Sequence, residues 1–174
     1  LSLASSDLEA SVDIFKAASQ LRAHGKGRIV TFSPKVFIPL THMCRDFCGY
    51  CTFRKDPKQA GTDIYMTPEQ VLDVATAGAA LGCTEALFTL GERPEQRYPE
   101  AREWLRKRGF KTTLEYLSYV CQLVIDETEM LPHANPGTMA RREIASLKPY
   151  SASMGLMLES TSSQLYAKGG PHEF

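Results

Sequence analysis

The sequence predicts an α/β fold, in which helices cover a parallel β-sheet, and three observations predict it. Strand and helix patterns alternate along the 174 residues. The strand patterns are short apolar runs, which are typical of strands buried on both faces. A strand–helix–strand succession joins parallel strands through right-handed crossovers. With 43% hydrophobic and 23% charged residues, the chain has the composition of a globular domain with one core.

The first predicted element is a helix over residues 7–23. Ser6 and Glu9 have the spacing of a capping box, and apolar residues then recur at helical intervals until Gly25. Residues 1–34 are therefore expected to form an N-terminal helix and extension that precede the sheet.

Two extended runs follow this helix. RIVTFS, residues 28–33, is the first, and KVFIPLT, residues 35–41, has the apolar, partly β-branched character of a buried strand. TPEQ, residues 67–70, then combines an N-cap threonine, a proline at the first helical position and a capping-box glutamine. These residues open a helix that is expected to run to about Leu81 and to end before Gly82.

The second half of the chain repeats the alternation, so that four strands are expected. The charge-rich residues 93–109 are typical of a solvated helix or lid. The remaining elements are a strand at TEALFTL (84–90), a helix over 112–128, a short strand at MLPHAN (130–135), a helix at TMARREIASLK (138–148) and a last strand at SASMGLMLES (151–160).

Charge and apolar content narrow the classes of function. Twenty basic and twenty acidic residues give a formal net charge of zero, so no long-range field favours nucleic acid or an anionic membrane surface. The first residues lack a basic segment followed by an apolar one, and no apolar run approaches the roughly 20 residues of a membrane helix. We expect a cytoplasmic protein whose ligands are small molecules.

Ligands of parallel α/β sheets bind at the carboxyl ends of the strands. Four segments follow the predicted strands and are expected to lie at that edge: Cys44–Cys51, Gly91-Glu92, His133–Gly137 and Glu159-Ser160. They contain the thiols, carboxylates and imidazole that are candidates for the chemistry.

The segment CRDFCGYC holds three of the five cysteines. An odd number of cysteines, with three bunched together, fits metal binding better than a disulfide framework. A structural zinc site requires four ligands, and Cys83 or Cys121 could supply the fourth, although both positions are typical of small buried residues. Cys44, Cys48 and Cys51 without an evident fourth thiolate indicate an iron–sulfur cluster with one iron left open.

The motif C-x-x-x-C-x-x-C, with an aromatic residue before its third cysteine, resembles the radical S-adenosylmethionine (SAM) superfamily. More specifically, KVFIPLTHMCRDFCGYCTF, LFTLGERPE, LPHANPGTM, GLMLES and KGGPH resemble successive segments of the FO synthase family, in its deazaflavin-forming subunit or half. FO is 7,8-didemethyl-8-hydroxy-5-deazariboflavin. The resemblance extends from about residue 29 to His172.

The superfamily resemblance implies two cofactors, a 4Fe-4S cluster and SAM. Cys44, Cys48 and Cys51 would hold the cluster, and the amino and carboxylate groups of SAM would chelate the iron that no cysteine binds. The backbone around Tyr50 would contact the adenine of SAM.

The resemblance also implies roles at the other strand ends. Gly91-Glu92 is similar to the segment that receives the methionine amino group, a role that suits a glycine backbone and a carboxylate. Glu159 resembles the acidic residue that contacts the ribose of SAM. His133 and Asn135 could be presented to the substrate, although Asn-Pro-Gly is also an ordinary turn.

The family implies radical chemistry. A reduced cluster passes an electron to SAM, and the 5′-deoxyadenosyl radical that results abstracts hydrogen from the substrate. That substrate is 5-amino-5-(4-hydroxybenzyl)-6-(D-ribitylimino)-5,6-dihydrouracil, which a partner synthase subunit or fused half makes from tyrosine and a ribityl-uracil. Ring closure with loss of ammonia yields FO, so the resemblance implies a radical SAM lyase of deazaflavin biosynthesis that also needs an electron donor.

Two other functions stay open from the sequence. One is a different radical SAM enzyme, of the biotin-synthase-like or menaquinone-pathway type, and the other is a non-catalytic zinc or iron–sulfur binding module. Radical SAM barrels usually have six strands, so residues 35–174 are expected to be the N-terminal portion of a barrel, truncated after the fourth strand. The polypeptide 1–174 alone is expected to be inactive.

Overall fold

The computed structural model describes residues 7–61, 64–158 and 160–173. The chain divides into two compact units, one that ends at Phe32 and one that begins at Ser33. The second unit contains the sheet and the cysteine-bearing loop.

In the described part of the first unit, residues 8–26 form the helix α1, Leu8–Lys26. It continues past the predicted range of 7–23 and through Gly25, because a glycine within a helix costs only about 1 kcal/mol relative to alanine. His24 lies in the last turn, where a positive charge interacts favourably with the helix dipole. Ser6, one half of the predicted capping box, lies outside the described residues.

The second unit is built on a four-stranded parallel sheet whose strands follow chain order. All three neighbouring pairs are parallel, which confirms the predicted α/β class. The strands are β1 Lys35–Thr41, β2 Glu85–Leu90, β3 Leu131–Asn135 and β4 Ser153–Met154.

Helices connect the strands. They are α2 Pro57–Ala60, α3 Pro68–Ala80, α4 Pro94–Arg97, α5 Pro99–Lys107, α6 Thr113–Thr128 and α7 Arg141–Leu147, with 3-10 turns at Lys148–Tyr150 and Ser163–Tyr166. The capping box that opens α3 is present: Gln70 N–H donates to Thr67 Oγ1 at 3.3 Å, and Thr67 N–H donates to Gln70 Oε1 at 2.8 Å.

Helix α2 is absent from the sequence predictions, although its start carries the same signal as α3. Asp56 is followed by a proline and then by Gln59, whose side chain accepts the Asp56 N–H at 3.0 Å. The pattern Asp-Pro-x-Gln repeats the Thr-Pro-x-Gln of α3, so the same capping rule predicts both helices.

The core lies on the face of the sheet that α3 and α6 cover. Alternate residues of the strands point to this face, and the others point to the opposite, more exposed face. Fully buried core residues include Ile38, Leu40, Phe88, Val71, Ala75, Leu117, Val120 and Val124. Phe37, His133 and Asn135 alternate with the core positions and are more exposed.

The charge-rich residues 93–109 form two helices rather than one solvated helix. Ala101, Trp104 and Leu105 of α5 are buried in the core, because they recur on one face of the helix. Lys107 and Glu103 form an ion pair on the exposed face of α5, with Lys107 Nζ 2.9 Å from Glu103 Oε1.

Two segments that were predicted to be extended strands differ from that prediction in the structure. RIVTFS, residues 28–33, pairs with no strand among the described residues, and three of its apolar side chains, at Ile29, Val30 and Phe32, are more than three-quarters exposed. The last predicted strand shortens to β4, whose two residues pair with β3 in the part of the chain that the structure describes. An apolar extended run needs a neighbouring strand to pair its backbone groups, and such a partner is not encoded locally.

Within the described residues, none of the helices has the length and apolar character needed to span a bilayer.

Candidate functional site

The end of β2 packs directly against the loop that follows β1. Gly91 N–H donates to Thr41 O at 2.9 Å. A Cβ at Gly91 would lie 2.0 Å from Met43 O and 2.8 Å from Cys44 Cβ. Only a glycine fits at this contact, because real Cβ atoms do not approach other atoms so closely. Gly91 therefore allows two backbone segments to pack closely, and the segment that it contacts in this structure is the cysteine loop.

The sulfur of Cys44 is oriented by two backbone donors. The N–H groups of Asp46 and Glu92 donate to Cys44 Sγ at 3.4 and 3.2 Å. Partial burial raises the pKa of the Cys44 thiol, and the two backbone hydrogen bonds act in the opposite direction. Hydrogen bonds to sulfur are one means by which proteins stabilise and tune a cluster-bound thiolate.

Cys48 and Cys51 are joined by a short turn. Cys51 N–H donates to Cys48 O at 2.9 Å, which closes a turn between the two residues. Cys48 is partly buried and Cys51 is exposed, and none of the five cysteines is in a disulfide. The three thiols of the motif are therefore on one loop, with Cys44 and Cys48 partly buried and Cys51 exposed.

Two guanidinium groups pack on the ring of Phe47. The Arg54 and Arg97 Cζ atoms lie 4.1 and 3.9 Å from the centre of its ring. Arg97 also donates to Arg45 O at 3.1 Å. Stacked guanidinium groups interact favourably with an aromatic face, and the arrangement places two positive charges beside the residue that precedes Cys48.

Glu92 joins three strand ends. Arg45, after β1, donates to Glu92 Oε1 at 2.5 Å, and Arg45 N–H donates to Glu92 O at 2.8 Å. Thr138, after β3, donates to the same carboxylate from its N–H at 3.2 Å and from its hydroxyl at 2.5 Å. Gly137, with φ of +83°, permits this approach, since a Cβ there would lie 2.2 Å from Glu92 Oε2.

His133 and Asn135 contact each other on the open face of the sheet. His133 Nε2 lies 3.2 Å from Asn135 Oδ1, and Ser153 Oγ lies 2.6 Å from His133 Nδ1. If Nε2–H donates to the amide oxygen, Nδ1 accepts the serine hydroxyl, which satisfies both ring nitrogens in one neutral tautomer. A Cβ at Gly155 would lie 2.1 Å from Asn135 Oδ1, so the glycine leaves room for this amide.

Tyr50 is about half exposed, and its hydroxyl lies 3.1 Å from His172 Nε2. Two other aromatic residues of the loop have different partners: Phe53 packs on His42, with ring centres 4.3 Å apart, and Phe47 packs on the arginines. Glu159 lies outside the described residues.

The structure thus brings Cys44, Gly91 and Glu92 together and places His133 and Asn135 in a separate pair beside β4. Sequence reasoning missed Arg45 and Thr138, which hold Glu92. Arg45 follows the first cysteine of the motif, but no local pattern indicates an ion pair with a residue 47 positions away.

The donor set fits an iron–sulfur cluster. Three thiols lie on one loop, and the sulfur of Cys44 is already oriented by backbone N–H groups. Among the residues described, no three His, Cys, Asp or Glu side chains are arranged to bind a single metal ion. A 4Fe-4S cluster does not require such convergence, because each thiolate binds a different iron atom.

In a comparison with protein families, residues 38–173 match the model of the radical SAM superfamily. Two FO synthases are similar to most of the chain. The protein from Nocardia farcinica is 49% identical over 166 residues, which cover 91% of this chain and 19% of the relative. The protein from Streptomyces avermitilis is 48% identical over 170 residues, covering 95% of this chain and 20% of the relative.

A shorter relative matches equally well. The 7,8-didemethyl-8-hydroxy-5-deazariboflavin synthase of Methanopyrus kandleri is 48% identical over 145 residues, or 83% of this chain and 43% of the relative. The chain therefore spans about a fifth of the length of the two FO synthases and less than half of this synthase.

Among solved structures, methylornithine synthase has a similar fold, with a TM-score of 0.64. The match covers 94% of this chain and 44% of that chain at 18% sequence identity. This likeness concerns the fold alone, and it agrees with the parallel α/β architecture described above.

Proposed function

Because this chain belongs to the radical SAM superfamily, whose members use a 4Fe-4S cluster and SAM, we propose that Cys44, Cys48 and Cys51 hold the cluster. The observation that carries the proposal is the Cys44 sulfur, which is fixed by two backbone N–H groups at the junction of β1 and β2. When bound, the cluster supplies the electron that cleaves SAM. The protein supplies the positions of the reactants and the exclusion of water.

Gly91 and Glu92 are proposed to bind the methionine end of SAM. The Glu92 carboxylate is held by Arg45 and Thr138, so that its position is set before a ligand arrives. A carboxylate has about four lone-pair sites, and the three donors already present leave capacity for an ammonium group. The backbone near Tyr50 is proposed to contact the adenine, and Glu159 to contact the ribose.

We further propose that the full-length protein forms FO. The support is identity of 48–49% to proteins named FO synthase and 7,8-didemethyl-8-hydroxy-5-deazariboflavin synthase. The proposed substrate is the dihydrouracil adduct of tyrosine and ribityl-uracil, which closes its ring with loss of ammonia. A partner synthase subunit or fused half would supply that adduct, and an electron donor would reduce the cluster.

His133 and Asn135 are proposed to face this substrate. They lie on the open face of the sheet, and the Ser153 hydroxyl holds the imidazole in place. An imidazole and an amide are suited to a substrate that carries several hydroxyl, amine and carbonyl groups.

The experiment that tests the proposed function is anaerobic reconstitution of the full-length protein with iron and sulfide. Iron content, visible absorption, 5′-deoxyadenosine and FO would be measured for the wild type and for Cys48→Ser. We expect a 4Fe-4S spectrum and both products from the wild type, and loss of the cluster and of SAM cleavage in Cys48→Ser, because a soft thiolate is removed.

Cys83→Ala and Cys121→Ala are the matched controls, since they remove thiols outside the loop. Both should keep the cluster and SAM cleavage, with at most the instability of a trimmed core residue. Loss of the cluster in either control, or bound zinc without visible absorption in the wild type, would contradict the cluster assignment. SAM cleavage without FO formation would instead indicate a different radical SAM enzyme.

A further inference from the structure

Residues 163–173, here called the C-terminal segment, form a compact turn that contacts the cysteine loop. The segment begins with the 3-10 turn Ser163–Tyr166 and folds back so that His172 N–H donates to Leu165 O at 3.0 Å. Gly170 is required at the reversal, because a Cβ there would lie 2.5 Å from Leu165 O and 2.8 Å from Ala167 O. The segment therefore presents a defined surface to the loop.

Two neighbouring residues of the C-terminal segment make the contact. Gly49 N–H donates to Pro171 O at 2.7 Å. The Tyr50 hydroxyl lies 3.1 Å from His172 Nε2, and the two rings meet edge to face with centres 5.4 Å apart. Gly49 and Tyr50 are the two residues between the second and third cysteines of the motif.

The contact completes the support of the cysteine loop. At its first cysteine the loop is fixed to β2, through the bonds of Cys44 and Arg45 to Glu92. Its other end, which carries Cys48 and Cys51, extends to the surface. The C-terminal segment follows β4, at the opposite edge of the sheet from β1, and returns to hold this second end.

We infer that Pro171 and His172 are positioning residues for the cluster, because they fix the Gly49-Tyr50 turn that separates two of its ligands. The inference rests on the proposed cluster at Cys44, Cys48 and Cys51, and it assigns a role to chain segments that lie 122 residues apart at Tyr50 and His172. Ligands that are held in place before the cluster binds lose less conformational freedom when it binds. The contact therefore slows loss of the cluster without touching the reacting atoms.

The test uses the full-length protein and two readouts besides activity. The first is the rate at which an iron chelator bleaches the reconstituted cluster. The second is the alkylation rate of Cys48 and Cys51 in the cluster-free protein, measured by peptide mass spectrometry with Cys83 as an internal reference. Both readouts report how firmly the loop is held.

Tyr50→Phe and His172→Phe each remove one side of the hydrogen bond and keep an aromatic ring. We expect both rates to rise about fivefold in each variant, the factor that follows from losing one ordinary hydrogen bond. The double variant should be no faster than either single variant, because the two side chains share one interaction. His172→Gln, which keeps a hydrogen-bonding group, should stay within about twofold of the wild type.

Tyr119→Phe is the matched control, since this exposed tyrosine lies on α6 and should leave both rates unchanged. Wild-type rates in both Tyr50→Phe and His172→Phe, or additive effects in the double variant, would overturn the inference. A wild-type protein that binds no cluster would overturn the proposed function instead, and the alkylation rates would still decide whether the contact holds the loop.

Discussion

Gly91 is the residue at which the site is most sensitive to a single added carbon atom. Its Cα faces the backbone of Met43 and the side chain of Cys44, and no space for a Cβ exists between them. Glycine at this position thus serves the packing of two strand ends, in addition to any approach of a ligand. The same close packing makes the position testable without the cofactors.

Gly91→Ala should destabilise the cluster-free protein by about 1–3 kcal/mol, because the added methyl group must push the cysteine loop away from β2. Urea unfolding measures this change. Gly25→Ala is the control, since nothing lies within 4 Å of a Cβ at Gly25, and it should be neutral or stabilising by up to about 1 kcal/mol. Equal stability of the Gly91→Ala and wild-type proteins would contradict the steric argument.

Phe47 offers a second test at the scale of residues. The Cζ atoms of Arg97 and Arg54 lie 3.9 and 4.1 Å from the centre of its ring. In a double-mutant cycle of Phe47→Leu with Arg97→Met, we expect a coupling free energy of about 0.5–1 kcal/mol. The same cycle with Arg106→Met, a basic residue of the last turn of α5, should give no coupling, and equal values in the two cycles would contradict the stacking.

At the scale of elements, Arg93 ties the start of α4 to the start of α7. Its backbone has φ of +40°, a left-handed conformation that costs a non-glycine residue of order 1 kcal/mol. Its guanidinium donates to Glu143 at 2.8 and 3.0 Å and to Thr138 O at 2.8 Å. These bonds offset the strained backbone and hold the β3–α7 loop, which carries Thr138 to Glu92.

The carboxylate of Glu143 makes this tie pH-dependent. Bonds from the Arg93 guanidinium and from Ala140 N–H lower the pKa of Glu143 from its ordinary value of 4.5 to about 2. A group whose pKa is lower in the folded state adds stability above its unfolded pKa, and that stability is lost as the pH falls towards the folded value. The contribution is therefore complete above about pH 5 and declines between pH 4.5 and 2.

Glu143→Gln should accordingly lower the urea midpoint of the cluster-free protein at pH 7, and the difference from the wild type should shrink as the pH falls from about 5 to 2.5. Glu127→Gln, a change at an exposed carboxylate near the end of α6, is the control and should give a small, nearly constant difference. A difference for Glu143→Gln that is the same at pH 7 and pH 3 would contradict the role of the ion pair.

Across the whole molecule, contacts connect the loops that follow the four strands. Glu92 connects the loops after β1, β2 and β3, and the C-terminal segment returns from β4 to the loop after β1. The face of the sheet that α3 and α6 do not cover includes Phe37 and Leu131, which are 49% and 53% exposed. This is the face that lies towards the interior when parallel strands close into a barrel.

A polypeptide of these 174 residues expressed alone should therefore be less soluble and less cooperative in thermal unfolding than the full-length protein. The physical reason is that open sheet edges and exposed apolar side chains favour association between molecules. It should form no FO, since it spans at most 43% of the relatives compared above. A sharp thermal transition together with FO formation by the 174 residues would refute this prediction.

Local residue patterns were enough to predict the helices and strands and to identify the cysteine motif. β1 coincides with KVFIPLT, and α3 begins at its capping box, because strand alternation and helix capping depend on residues within a few positions of each other. The spacing of Cys44, Cys48 and Cys51 is likewise a local property. Since these signals are local, they are readable without coordinates.

The contacts between the loops could not be predicted in this way, because they join residues that are far apart in the sequence. The Arg45–Glu92 ion pair, the missing space at Gly91 and the Tyr50–His172 contact join residues 47 to 122 positions apart. The short β4 depends in the same way on which strand lies beside it. Such contacts follow from the order of strands in the sheet and from the paths of the loops. A residue pattern that repeats every two or four positions predicts neither the strand order nor the loop paths.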